Sequence, residues 1–87
     1  IVAPVNDVEL NEGTIIFSWD LIEDADSYRI QIATPSFENA TQILLDSTTS
    51  ETTISKNLSA NEYQWKVKAL NSEYETDYTT VNLTIIE

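Results

Sequence analysis

Apolar and polar residues alternate along most of the chain. In four segments every second residue is apolar: Ile15 to Trp19, Tyr28 to Ile32, Tyr63 to Ala69, and Val81 to Ile85. This period of two is what a β-strand with one buried face requires. No window of ten residues repeats apolar positions at the helical spacing of 3.6 residues. The pattern therefore predicts an all-β chain.

Turn residues divide the chain into short segments. The breakers include Asn11-Glu12-Gly13, the acidic run 23–26 and Pro35-Ser36. The Ser/Thr-rich stretch 47–55 is predicted to be a loop that runs into a short edge strand, since β-branched Thr suits a pleated surface. Seven short strands with regular turns are typical of a β-sandwich, and the chain has room for one domain. The predicted strands lie near residues 5–10, 14–20, 27–34, 41–46, 52–55, 62–70 and 78–86.

Several motifs connect this fold class to a known family. A proline stands near the start (Pro4), the second predicted strand reads FSWD and contains Trp19, and the third reads ADSYRIQIA around Tyr28. The sixth reads LSANEYQWKVKALN and contains Tyr63 and Trp65. In this order and spacing the motifs resemble a fibronectin type III domain over nearly the whole chain. The resemblance implies a seven-stranded immunoglobulin-like sandwich in which both tryptophans belong to the core.

The resemblance has departures and a narrower form. Tyr63 resembles the tyrosine-corner residue of such sandwiches, whose hydroxyl bonds nearby backbone. However, the turn from Leu58 to Tyr63 lacks the family's Pro and Gly and is one residue shorter, which puts this bond in doubt. No Arg-Gly-Asp is present, so integrin-type adhesion does not carry over.

The strings YQWKVKALN and NSEYETDY resemble bacterial versions from exported chains and envelope lipoproteins of the Bacteroidetes type. This likeness implies that residues 1–87 are one domain of a larger extracellular or cell-envelope protein.

Composition narrows the possible functions. The 87 residues include 15 acidic and 4 basic side chains, one glycine, no histidine and no cysteine, with a net charge of −11. Such a chain has no Ser-His-Asp triad, no Cys-His pair and no ordinary zinc site. The acidic balance argues against nucleic acid, because Lys and Arg supply affinity for phosphate. No apolar run reaches the roughly 18–20 residues of a transmembrane helix. We therefore predict no catalytic residue, cofactor or metal.

The candidate binding residues each have a structural alternative. Phe37, Tyr74 and Tyr78 fall in or beside loops and are candidates for stacking on sugars, although scattered exposed aromatics are common. Arg29, Lys66 and Lys68 are predicted to share the outer face of one sheet, with Asp46 beside them. That face is either a docking patch for an acidic partner or neighbouring domain, or a solvated surface with weak cross-strand pairs.

The carboxylates form a further candidate group. In the fold that the resemblance implies, the loops after the second and sixth strands meet at one end of the sandwich. We call this end the acidic pole. A glycosidase pair there would need a cleft, which we do not expect a small sandwich to offer, and the spacing lacks the signature of a calcium-binding loop. We expect a solvated end without a specific calcium site. Its members are Glu23, Asp24, Asp26, Glu73, Glu75 and Asp77.

The sequence thus predicts a non-catalytic β-sandwich module. Its expected work is to act as a spacer or to contact neighbouring domains or another protein. The alternative is a carbohydrate-binding accessory module that uses the loop aromatics. A contiguous exposed aromatic platform would favour this alternative.

Overall fold

Two β-sheets make up the molecule. The computed structural model describes residues 2–87, in which seven strands form a five-stranded sheet in the order β1-β7-β6-β3-β4 and a two-stranded sheet of β2 and β5. The predicted all-β sandwich is confirmed. The strands are β1 (Val8–Asn11), β2 (Gly13–Ser18), β3 (Ser27–Thr34), β4 (Gln42–Thr49), β5 (Thr53–Leu58), β6 (Asn61–Leu70) and β7 (Thr79–Ile86).

The alternating pattern decides which face of each strand is buried. In β6, buried and half-buried positions alternate from Tyr63 to Leu70, and β3 and β7 show the same period. Antiparallel pairing sets Ile30 opposite Val67 and Ile32 opposite Trp65 on the inner face. Residues that face each other on these paired strands are buried together. The apolar face is therefore continuous across the strands and packs against β2 and β5.

Three aromatic rings occupy the centre of the core. The ring of Trp65 lies 5.1 Å from that of Phe17 and 6.4 Å from that of Trp19, measured between centroids. Trp65 and Phe17 are fully buried, and Trp19 nearly so. The assignment of both tryptophans to the core is confirmed. Each tryptophan buries its indole N–H without a hydrogen-bond partner within residues 2–87. The two side chains therefore stabilise the fold through packing rather than through a polar contact.

The tyrosine corner forms despite the shortened turn. The Tyr63 hydroxyl donates a hydrogen bond of 2.7 Å to the carbonyl of Ser59. The turn contains only Ser59 and Ala60 between β5 and β6. Its backbone gains a second anchor, because the Ala60 N–H donates to the Glu12 carboxylate at 3.1 Å. The turn therefore needs neither Pro nor Gly to hold its position.

The boundaries differ from expectation in the Ser/Thr-rich stretch. β4 continues to Thr49 and β5 extends to Leu58, so the predicted loop shrinks to residues 50–52. The physical reason is pairing: Thr48 and Thr49 find partners on β3, which β-branched side chains accommodate well. β2 ends at Ser18, yet Trp19 still donates its N–H to Thr52 at 3.0 Å.

The N-terminal segment is split between the two sheets. Ala3 forms an antiparallel bridge with Ser18 of β2, whereas β1 pairs in parallel with β7. The predicted strand 5–10 therefore begins only at Val8. The chain changes sheets through Asp7, whose φ of 62° lies in the left-handed region that Asp tolerates better than most residues.

Candidate interaction surfaces

The acidic pole is built from two loops, residues 19–26 between β2 and β3 and residues 71–78 between β6 and β7. All six of its predicted carboxylates are exposed. Five of them have no basic partner in the described chain, whereas Glu75 accepts a 2.8 Å ion pair from Lys68. No group of three or more acidic side chains among residues 2–87 is arranged to hold a metal ion.

Hydrogen bonds hold the two loops together. The Asn71 side-chain carbonyl accepts N–H groups from Glu73 and Tyr74, each at 2.8 Å, and its amide reaches the Asp24 carbonyl at 3.3 Å. The Asp26 N–H also donates to the carbonyl of Leu70, the last residue of β6 before the second loop. Asn71 thus shapes one loop and connects it to the other.

Each loop is also anchored to the sheet. The Tyr28 hydroxyl accepts the Ile22 N–H at 3.0 Å, which fastens the first loop to β3. Thr76 and Ala69 exchange two bonds of 2.9 Å, one through the Thr76 hydroxyl and one between backbone groups. Asp24 adopts a φ of 71°, in the region where Asp and Asn are enriched. These bonds fix the backbone that presents the side chains of the pole.

Large apolar side chains stand among the acids of the pole. Leu21 is 77% exposed, Tyr74 is 59% exposed and Ile22 is 44% exposed. Ile22 and Tyr74 line the same shallow depression, together with the half-buried Leu70. The pole therefore carries exposed apolar side chains on loops whose backbone is held by hydrogen bonds.

A cleft opens beside these residues, so the expectation that a small sandwich offers none is wrong. It has a volume of about 450 Å³, and its floor is formed by side chains of the core: Trp19, Tyr28, Val67 and Ala69. Ile22 forms part of its wall, as do Thr76 and Asp77. Ile22 therefore borders both the cleft and the depression that it shares with Tyr74. The cleft therefore gives the pole a concave apolar surface next to its exposed apolar side chains.

The outer face of the five-stranded sheet collects three of the four basic residues. Arg29 and Lys68 are paired across β3 and β6, and Lys66 follows on the same face, as predicted. Arg29 holds Asp46 with two bonds of 3.0 Å. The hydrogen bond from Arg29 lowers the pKa of the Asp46 carboxyl, with a further contribution from Gln31, and the same pair raises the pKa of Arg29.

Two of the candidate aromatics pack on this face against lysines. The Lys66 ammonium lies 4.2 Å from the centroid of the Phe37 ring and 4.4 Å from that of Tyr78. Lys68 lies 4.7 Å from the centroid of the same Tyr78 ring. We call these four residues the lysine–aromatic ladder. Each contact within it has the geometry of a cation–π interaction.

The three candidate sugar-binding aromatics lie on two different surfaces. Phe37 and Tyr78 belong to the lysine–aromatic ladder, whereas Tyr74 lies beside Ile22 at the acidic pole. In the described part of the chain no ring contact joins Tyr74 to either of the other two. The three aromatics therefore do not form one contiguous platform.

Sequence reasoning missed the apolar side chains of the pole. Leu21 and Ile22 lie beyond the predicted strand 14–20 and were assigned no role, whereas in the structure they follow the end of β2 and face solvent. The available signal was an apolar pair placed directly before the acidic run Glu23-Asp24 in a turn. The cation–π contacts of Lys66 gave no sequence signal, because Phe37 and Tyr78 reach it from outside the strands.

Solved structures show what this architecture resembles. The structure described as "Crystal Structure of FN3tt" superposes with a TM-score of 0.67 at 18% sequence identity, covering 97% of this chain and 90% of its own. The chain has the fibronectin type III fold. A second structure, the solution structure of the fibronectin type III domain from human KIAA0970 protein, gives a TM-score of 0.58 at 14% identity, covering 100% of this chain and 72% of that one.

The likeness to fibronectin type III domains is one of fold. No protein-family model and no curated protein matches the sequence. The identities of 18% and 14% are too low to transfer a ligand from either structure. Residues 2–87 contain no helix with the length and apolarity needed to span a bilayer. What this domain binds must therefore be argued from its own surfaces.

Proposed function

We propose that this domain is a non-catalytic module of a larger exported or cell-envelope protein and that it works through protein contact. It spaces or presents neighbouring domains, or it binds another protein. The fibronectin type III fold supports a module of this kind, and the sequence has neither histidine nor cysteine for the common nucleophilic mechanisms. The proposed setting is bacterial, and it rests on the likeness of YQWKVKALN and NSEYETDY to Bacteroidetes-type exported chains.

One observation carries the proposal of protein contact. At the acidic pole Leu21, Ile22 and Tyr74 are exposed on loops that hydrogen bonds hold in place. Exposed apolar area costs solubility unless a partner covers it, and aromatic residues are enriched where proteins meet. Loops that are already fixed lose little conformational entropy on binding, which favours affinity.

Nuclear magnetic resonance tests the proposal in the full-length protein. Amide signals of residues 1–87 are compared between the isolated domain and the same domain within the complete gene product. We expect a contiguous group of signals to shift, because a neighbouring domain or a bound protein changes the environment of the surface that it covers. Unchanged signals throughout, with no binding protein found for the full-length product, would contradict contact as the function. The reading frame itself should encode an export signal and a further domain.

The carbohydrate-binding alternative keeps one observation in its favour. Tyr74 is 59% exposed and borders a depression, as a ring that stacks on a sugar would. A glycan array probed with the wild-type domain and with Tyr74→Ala distinguishes the two functions. Specific binding that disappears in the variant would support the alternative, and an array without hits would leave protein contact as the function.

A further inference from the structure

The acidic pole carries exposed apolar side chains and, on the same two loops, exposed carboxylates, which we call its rim. We propose that it docks a cationic, extended protein segment that places an apolar side chain against Ile22 and Tyr74 and its Lys or Arg groups over the rim. This inference rests on the proposed function and names the chemistry of the partner. It concerns one surface only, so protein contact elsewhere on the domain is a separate matter.

The apolar part of the proposal follows from concavity. Ile22 borders both the cleft of about 450 Å³ and the depression shared with Tyr74. A side chain of Leu or Phe size placed beside Ile22 would cover its exposed surface and contact the apolar walls. The core side chains on the floor of the cleft are already buried, so the newly covered area comes mainly from the loops.

The charge of the partner follows from the rim. Glu23, Asp24, Asp26, Glu73 and Asp77 have no basic partner in the described chain. The basic residue that lines the cleft is Lys68, and its ammonium is engaged by Glu75 and by the ring of Tyr78. An anionic partner would be repelled here, whereas Lys and Arg lay their aliphatic stems on apolar surface while their charges reach carboxylates.

A second copy of the chain fits this pole poorly. Each copy carries a net charge of −11, and face-to-face contact would bring two acidic rims together. A neutral sugar would stack on Tyr74 and donate hydroxyl hydrogen bonds to carboxylates, but it would leave their negative charge uncompensated. A cationic segment is the occupant whose apolar and charged groups both find complements here.

The probe for the test is a short synthetic peptide of the stated chemistry. We choose KLKFK, blocked at both ends, and compare it with KSKSK, which keeps the charge without apolar side chains, and ELEFE, which reverses the charge. Titration into the ¹⁵N-labelled domain at low and moderate NaCl gives affinity and location. We expect KLKFK to shift signals of residues 20–26 and 70–77, KSKSK to bind more weakly, and ELEFE not to bind. Added NaCl should weaken binding without abolishing it.

Matched variants separate docking from general attraction. Ile22→Ser should weaken KLKFK on the order of ten-fold, since it removes apolar contact area. Ile16→Ser is the control, because Ile16 is 65% exposed on β2 and lies in neither loop. Asp24→Asn should weaken binding about two- to five-fold, as expected for one exposed ion pair, and Asn also tolerates the φ of 71°. Glu9→Gln on β1 is its control.

Three results would overturn the inference. The first is signal shifts spread over the whole acidic surface, and the second is equal loss in Ile22→Ser and Ile16→Ser. The third is equal affinity for KLKFK and KSKSK. Each variant is checked for an unchanged melting temperature, so that loss of fold is recognised. If the peptide misses the pole while the full-length protein shifts another surface, this inference fails and the proposed function stands. If no surface responds in the full-length protein, the proposed function itself fails.

Discussion

The Tyr63 corner offers a sharp test of the structure, because one atom can be removed there without disturbing the packing. Tyr63→Phe keeps a ring that is almost completely buried and deletes the hydroxyl that donates to Ser59 at 2.7 Å. The carbonyl left behind belongs to an exposed residue and can bond water instead. The expected loss is therefore that of one net hydrogen bond, about 0.5–1.5 kcal/mol.

Urea denaturation measures this loss. In a domain of this size about 1 kcal/mol corresponds to a shift of roughly 4–8 °C in melting temperature, so calorimetry provides a second measure. Tyr74→Phe is the matched control, since its ring is 59% exposed. Tyr28→Phe should cost at least as much as Tyr63→Phe, because it removes the acceptor of the Ile22 N–H, a part-buried backbone donor.

The comparison has a clear refuting result. If Tyr63→Phe and Tyr74→Phe unfold at the same urea concentration with the same slope, the corner bond contributes nothing to stability. The shortened turn would then be held by the bond from Ala60 to Glu12 and by packing alone. If the slope changes as well, the substitution has altered the denatured or native ensemble and the simple hydrogen-bond account is wrong.

Further predictions concern the core and the charged face. Trp19→Ala should cost about 3–5 kcal/mol in urea denaturation, since it opens a cavity beside Trp65, and an unchanged midpoint would contradict this packing. Lys66→Met should cost about 1–2 kcal/mol more than the charge-matched Lys56→Met, because two cation–π contacts are lost. The lowered pKa of Asp46 means that its pairing stabilises the fold above the unfolded value of about 3.9 and that this stability disappears as the pH falls through the folded value. Asp46→Asn should therefore flatten the acid limb of a stability–pH profile, and an identical limb would contradict the pairing. Moderate NaCl should raise the melting temperature by screening the net charge of −11, and a steady decrease would show that the ion pairs outweigh the repulsion.

The strands could be predicted because the rule that places them is local. Alternation decides which face of β6 is buried, so Tyr63 and Trp65 could be assigned to the core from the sequence alone. The shared outer face of Arg29 and Lys68 also followed once their strands were taken as neighbours, although their register did not. Boundaries were less predictable in the Ser/Thr-rich stretch, because Thr suits both a strand and a loop and only a partner strand decides between them.

The surfaces could be predicted only in part, since they depend on contacts between loops distant in sequence. The grouping of the acids at one end followed from topology. The ion pair between Glu75 and Lys68 did not, because it depends on the conformations of the two side chains. Asn71 ends the motif LSANEYQWKVKALN, but the motif does not reveal that its amide connects two loops through Asp24, 47 positions away. Ile22 lies outside the predicted second strand, but the depression that it shares with Tyr74 depends on how the two loops pack.

The split N-terminal segment has a consequence for a chain that is pulled at its ends. β1 and β7 are the first and last strands, and they run parallel with four residue pairs in register from Val8 and Leu83 to Asn11 and Ile86. Tension applied at the two termini would draw these strands along their length in opposite directions. The inter-strand bonds would then be strained together in shear, whereas strands pulled apart from one end open one bond at a time. The antiparallel bridge of Ala3 to Ser18 stands ahead of β1 and would be strained before it. Under tension the domain would thus resist first through the Ala3–Ser18 bridge of one sheet and then through the four paired residues of β1 and β7 in the other.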